Sequence, residues 1–338
     1  MRRRALLSHG AVLGASATVL AILDACEVSA PAPGPRADTP LETTKLRVAK
    51  VSSICLGAQY VAEDLLRDEG FTDLEYVSIS GQLIAPRVAS GDIDLSMQFS
   101  GPFLIRVDAG DPIVLLAGGH VGCFELFGSS RVHTIGDLKG RTVAVSGLGA
   151  PDHVFLSSIV AYIGMDPQKD INWTTVPDLE AQNLLAEDKI DALLGFPPRS
   201  QELRAKKIGH VVLNSMMDKP WSQYFCCMVG VNRSYLQKYP SATKRALRAI
   251  LRAADICARE PERAARLLVD RGYTASYDYA LQTMQEVPYN LWRAYDPEDT
   301  LRFYALQLHE AGMIRRTPDK IIADGTDWRF LRELKREL

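Results

Sequence analysis

The side chains that could do chemistry are few and far apart in the chain. Asp152 and His153 are adjacent, but neighbours on a helix point in different directions and cannot relay a proton between them. His153, early in a helix, leaves two readings open: a donor to a ligand, or a packing and capping residue. His120, His133 and His210 stand alone and read as surface or capping residues. Beyond Cys26 the cysteines are Cys55, Cys123, Cys226, Cys227 and Cys257. They form no C-x-x-C pair, and no Cys/His spacing fits a zinc site, so no metal is expected. Cys226 and Cys227 fall in an apolar run and read as packing residues, and the odd number leaves any disulfide pairing unassigned. Glu125 sits in the alternating run Cys123–Phe127, where a buried carboxylate would be structural or would hold a ligand amine. There is no Walker A loop, H-E-x-x-H or G-x-S-x-G, and Gly147-Leu148-Gly149 lacks the third glycine of a dinucleotide fingerprint. With no activated group beside a partner, the expectation is binding without catalysis and without a cofactor.

The elements that would position a ligand are clearer. Thr134–Met165 reads as a short helix closed by Gly140, a buried strand Thr142–Val145, a small-residue loop from Ser146, and a helix opened by Pro151, Asp152 and His153. Three earlier loops repeat the pattern of strand, Ser or Gly, then helix: Ser53 to Gly57, Ser80 to Gln82, and Ser100-Gly101-Pro102. Pro86 conflicts with a helix opened at Ser80 and marks a kink or a later start. Strand and helix alternate through most of the chain, which predicts mostly parallel sheets with ligands outside the carboxyl ends of the strands. Helix starts gathered there offer unpaired N–H groups to an anionic or polar group. The expected contacts are Ser53, Gly57, Gln82, Ser100, Gly101, Gly147, Gly149, Asp152 and His153, with Phe196 and Trp221 as apolar walls. From Pro240 onward the chain is mainly helical, with apolar residues at 246, 247, 250, 251 and 254 on one helix face.

The start of the chain reads differently. Arg2-Arg3-Arg4 followed by an apolar run to Leu23 is an export signal, loosely of the twin-arginine kind. Leu23-Asp24-Ala25-Cys26 looks like a lipoprotein cleavage box, with Cys26 as the lipidated residue, although Asp24 is unusual there. The proline-rich segment 26–44 is a tether. Loss of residues 1–25 removes three Arg and one Asp, so Lys plus Arg falls from 39 to 36, Asp plus Glu from 41 to 40, and the net charge from −2 to −4. That balance argues against a nucleic-acid partner.

The run Asp137-Leu138-Lys139-Gly140-Arg141-Thr142-Val143-Ala144-Val145, its Gly-rich loop and its helix-start His resemble the solute-binding proteins of ABC importers. The branch is the one that takes sulfonates, nitrate, taurine and thiamine-pyrimidine precursors. Val88–Leu95, containing Gly91-Asp92-Ile93-Asp94, and Lys189-Ile190-Asp191-Ala192 resemble signatures of the same family, and the likeness runs from Leu46 to Leu338. It implies a two-lobed type II periplasmic-binding-protein fold. Residues 45–122 and 226–338 would form one lobe and 123–225 the other, with the hinge where the chain crosses and a helical tail on the first. It also implies a small-molecule ligand, bet as a sulfonate- or carboxylate-like anion, importer membrane subunits as partners, and a periplasmic or cell-surface location. An enzyme resembling the fungal pyrimidine-precursor synthases of the same fold is the alternative. Those carry a cysteine cluster and a pyridoxal-phosphate His and Lys; no such cluster is legible in this sequence, and an export signal does not suit them.

Overall fold

The structure, a computed structural model, describes residues 40–338. The export segment, Cys26 and the tether up to Thr39 lie outside the described residues. The strands are β1 (Lys45–Lys50), β2 (Asp73–Ser78), β3 (Leu95–Phe99), β4 (Ile113–Val121), β5 (Glu125–Gly128), β6 (Thr142–Val145), β7 (Asn172–Thr175), β8 (Ala192–Gly195), β9 (His210–Asn214) and β10 (Phe225–Asn232). They form two lobes. One sheet has the order β7-β6-β8-β5-β9, and the other joins β3-β10-β4 beside the β1-β2 pair.

The lobes are built alike. In the second, β6 is parallel to β7 and β8, while β5 is antiparallel to β8 and β9. In the first, β1 is parallel to β2, and β10 is antiparallel to β3 and β4. Each lobe therefore takes one reversed strand between its third and fourth strands, and the two strands that flank it share one direction. These are the crossover βαβ connections that the strand–helix alternation predicts.

The join between the first and third strands uses the same device twice. The Arg47 N–H donates to Asp94 Oδ2 at 2.7 Å, and the Asp94 N–H returns a bond to Arg47 O at 3.0 Å. The Thr142 N–H donates to Asp191 Oδ2 at 2.9 Å, and the Asp191 N–H to Thr142 O at 2.8 Å. Each carboxylate also takes an arginine, Arg47 on Asp94 and Arg131 on Asp191. These are the final acids of the two family signatures, so a structural repeat exists where the sequence shows no repeat.

Two local expectations change. β4 runs through Gly118-Gly119 to Val121, although a Gly-Gly pair commonly marks the end of a strand. A Cβ on Gly118 would lie 2.4 Å from the Phe225 ring, and one on Gly119 would lie 2.4 Å from Met97 Cε. The glycines admit neighbouring side chains rather than break the strand, and His120 is thereby carried into the sheet. Ser80–Gln82 forms a 3-10 turn without a side-chain cap, and the following helix begins at Ile84, so Pro86 stands in its first turn. The tail also holds the shorter helices Arg233–Lys238, Tyr277–Glu286 and Pro318–Gly325. Their caps were legible, since Asn232, Ser276 and Thr317 each accept a backbone N–H of the first turn.

Replacing either aspartate by Ala strands a first-strand N–H, of Arg47 or of Thr142, and removes the partner of a half-exposed arginine (side-chain exposure 30% for Arg47, 37% for Arg131). We expect Asp94→Ala and Asp191→Ala each to cost about 1–3 kcal/mol, read from urea unfolding midpoints.

Candidate functional site

The carboxyl ends of β1, β3 and β8 meet the first crossing between the lobes around one narrow cavity. Ser53, Cys55 and Leu56 follow β1; Gln82 and Ile84 follow β2; Gln98 and Phe99 end β3. Cys123 and Phe124 lie on the crossing, Pro151 and Phe196 come from the second lobe, and Cys227 from β10. The cavity is about 20 Å³, room for one water. An organic ligand therefore needs the lobes to part or the walls to move.

The lobes are held together at this level. The Ile54 N–H donates to Pro197 O at 3.0 Å. From the helix Arg199–Lys206, Gln201 Nε2 reaches Glu286 Oε2 at 3.0 Å and Arg204 Nη2 reaches the same carboxylate at 2.7 Å. Phe124 stacks on Phe155 with centroids 4.7 Å apart and meets Phe196 edge-on at 6.2 Å.

The residues expected from sequence divide into three groups. Ser53, Gln82 and Phe196 line the cavity. Gly57 and Gly101 are packing positions: a Cβ on Gly57 would lie 2.7 Å from Met284 Cε, and one on Gly101 would lie 2.6 Å from both Phe99 and Val154. Ser100 is fully buried with its Oγ unpartnered, and Trp221 is buried against Tyr162, away from the cavity lining.

The Gly147–His153 loop is held by its own side chains. Asp152 accepts from the Ser146 N–H, the Ser146 hydroxyl and the His153 N–H. Burial raises its pKa above the ordinary value, against those three bonds. The Gly149 N–H donates to His153 Nδ1 at 3.1 Å, and the His153 ring lies edge-on to Trp173. Burial pushes His153 down to about 4, so it stands neutral with Nδ1 as an acceptor. Gly149 has φ +81° and open space around it, so its demand is conformational.

Sequence reasoning missed Gln98, Phe124 and the cysteines. Gln98 is a buried amide that bonds the Ala85 N–H and Gln82 O, which fixes its orientation. Cys226 and Cys227 are buried, but His120, expected at the surface or as a cap, is fully buried beside thiols that no sequence spacing brought together. One ligand atom each from Cys55, His120, Cys123 and Cys227 all lie within 4.8 Å of one another, and all four residues are buried. Cys226 Sγ lies 3.3 Å from Cys123 Sγ. Burial raises the Cys227 thiol, but the surrounding thiols and His120 outweigh it and hold the group well below its ordinary value. His120 is correspondingly raised against its own burial. No spacing rule could find this cluster, because its members come from the β1 exit, β4, the first crossing and β10.

Two further polar groups are buried without full partners. Arg199 pairs with Asp178 at 2.7 Å, but its Nε and Nη2 have no acceptor among the described residues. Glu125 is fully buried with both carboxylate oxygens lacking a hydrogen bond, and Arg204 stands 3.6 Å away.

The architecture is that of the periplasmic binding proteins. The chain superposes on the periplasmic nitrate-binding protein NrtA from Synechocystis PCC 6803 with TM-score 0.73 and 16% identity, covering 89% of this chain and 90% of that one. The alkanesulfonate-binding protein SsuA from Xanthomonas axonopodis pv. citri, bound to MOPS, gives 0.67 and 16%, covering 86% and 100%. A ligand-binding component of an ABC-type import system from Staphylococcus aureus, with zinc bound, gives 0.70 and 12%, covering 86% and 99%. Identities this low establish the fold. The chain belongs to the NMT1-like family, whose sequence profile matches residues 41–269. No curated protein sequence matches it.

Burial raises the Glu125 carboxyl from 4.5 to about 7, with Arg204 opposing and Glu286 adding to the rise. Between those two values the folded protein keeps a proton that the unfolded chain has released, so stability falls as pH rises from about 4.5 to 7. Urea melts at pH 5 and pH 8 should show that loss in the wild type, on the order of 1–3 kcal/mol, and little of it in Glu125→Gln.

Proposed function

We propose that this chain is the extracytoplasmic solute-binding component of an ABC importer. Residues 45–122 and 226–338 form one lobe and 123–225 the other, with the ligand taken between them. No covalent bond is made or broken. Delivery is to the importer's membrane subunits. The observation that carries the reading is the cavity at the carboxyl ends of strands from both lobes, closed by bonds that a hinge can break and remake. A ligand favours the closed form only through contacts that this form alone provides.

The ligand class we infer is a small organic anion, sulfonate- or carboxylate-like. Ser53, Gln82 and Gln98 supply hydroxyl and amide groups to the cavity, and Phe124 and Phe196 supply apolar wall. Arg199, three residues beyond Phe196, holds two buried guanidinium nitrogens without acceptors. A buried cation short of partners favours an anionic oxygen nearby. Export through residues 1–25, by a twin-arginine route, and a lipid anchor at Cys26 complete the proposal. Among the described residues, no helix is long and apolar enough to cross a membrane.

A thermal-shift panel of sulfonates, carboxylates and neutral heterocycles tests the ligand class, since a tight ligand raises apparent stability by mass action. Anions alone should stabilise the wild type, and Arg199→Lys should bind the best of them roughly 10- to 100-fold more weakly, as loss of a hydrogen bond to a charged group predicts. Stabilisation by neutral or cationic compounds alone would remove the anion from the reading. Mass spectrometry of the protein from its own host should find lipid-modified Cys26 at the N-terminus; an unmodified start near Ala30 keeps export and removes the anchor.

A further inference from the structure

We propose that Cys55, His120, Cys123 and Cys227 form a binding site for one thiophilic, closed-shell metal ion, Zn2+ or Cu+. The assignment does not rest on the ligand reading above. Four buried ligand atoms within 4.8 Å of one another are already close to the arrangement such an ion needs. Around Zn2+, with Zn–S about 2.3 Å and Zn–N about 2.0–2.1 Å, tetrahedral ligand atoms stand roughly 3.5–3.8 Å apart. The cluster has to contract by about an ångström at its widest, which side-chain torsions can supply without moving a strand.

The imidazole gives a second, independent sign. His120 is fully buried, and its Nε2 has no hydrogen-bond partner among the described residues. Its Nδ1 faces the carbonyl oxygens of Val121 and Gly122, each at 3.2 Å. A proton on Nδ1 satisfies those carbonyls, and a metal would take the place of any proton on Nε2, which is how metal-bound histidines are usually oriented. The ring is also backed by Tyr289, edge-on at 5.5 Å, and the Tyr289 hydroxyl donates to Cys55 O at 2.9 Å. One tyrosine thus fixes both the ring and the backbone that carries a thiol. On the far side, Ser215 Oγ accepts the N–H groups of Cys123 and Phe124 at 3.1 and 2.9 Å, which pins the crossing that bears the third ligand.

Packing alone would explain one or two buried thiols, since cysteine behaves as a small apolar residue. It does not explain why an imidazole with Nδ1 turned to two carbonyls is gathered with three of them within 4.8 Å. Three sulfurs and one nitrogen are a soft donor set, which selects Zn2+ and Cu+ over Mg2+ or Ca2+. Binding converts the thiols to thiolates and releases their protons to solvent. Four protein ligands close the coordination sphere, so the ion would be a structural tie rather than a catalytic centre. It would join the β1 exit, β4, the first crossing and β10, the elements on which the lobes pivot. Cys226, 3.3 Å from Cys123 on the other side, is the competitor: an oxidised Cys123–Cys226 pair would remove a ligand.

The test uses the full chain, purified reduced and metal-free, with Co2+ as a spectroscopic probe and then Zn2+ and Cu+ in chelator competition. We expect about one equivalent of Co2+ with thiolate-to-metal absorption and a tetrahedral visible spectrum, displaced by Zn2+ or Cu+. The competition identifies which of the two binds more tightly. Cys227→Ser should lower the thiolate absorption per bound ion by about a third and weaken binding at least tenfold, while Cys257→Ser, a buried thiol outside the cluster, should match the wild type. Should Cys227→Ser fail to fold, X-ray absorption on the wild-type zinc form replaces it, with three sulfurs and one nitrogen expected. The proposal is overturned by a reduced protein that binds no stoichiometric metal, by unchanged binding in Cys227→Ser, or by a different ligand count. It is also overturned if protein exported by its own host carries Cys123 and Cys226 as a disulfide.

Discussion

Neither sheet is complete without a strand that arrives from the other side of the molecule. β5 enters the second sheet directly after the first crossing, and β10 returns to the centre of the first sheet with all eight residues buried. A central antiparallel strand has to satisfy hydrogen bonds on both edges, so its register is fixed by β3 and β4 together. The register slips between Phe225, Cys227 and Met228, where Phe225 fills the space above Gly118. The two crossings consequently lie side by side, and the residues at their ends face one cavity.

The polar groups of the site follow from that arrangement. Each lobe ties its first strand to its third through a buried aspartate, which leaves the loops after β1, β3, β6 and β8 free to face the other lobe. The loop after β6 satisfies itself through Asp152 and His153, and the neutral imidazole there is spent on a backbone N–H. Unsatisfied groups lie elsewhere: Arg199 at the start of a helix, Glu125 on the reversed strand, and the idle nitrogen of His120. Burial without a full set of partners costs free energy, so such groups mark the places where a ligand, an ion or a proton makes up the difference. For Glu125 the proton does so, since its carboxyl stays protonated up to about pH 7.

Much of the fold was legible in the chain itself. The β-branched run of β6 and the proline at the first position of the Pro240–Arg259 helix report local geometry, which neighbouring residues decide between them. The loops after β1 and β2 were legible in the same way, and Ser53 and Gln82 on them line the cavity. Short-range patterns also misled where a distant partner set the outcome. Gly118 and Gly119 read as a strand end because the rings and methyl groups they admit come from Phe225 and Met97, far away in sequence. Gly101 read as space for a ligand, yet Phe99 and Val154 occupy it.

The cysteine cluster marks the boundary between the two kinds of information. Residue type, periodicity and capping determined which segments would be strands and helices, and that the chain alternates them into an α/β architecture. Nothing within a few residues of Cys55 announces Cys227, because 172 positions separate them (227 less 55). Only the return of β10 between β3 and β4 brings them together, and that pairing is decided by burial of a whole strand across both lobes. The sequence by itself therefore determined the elements and their local caps. The tertiary structure alone decided which side chains share the cavity wall, because that depends on the register of a strand whose partners lie more than a hundred residues upstream.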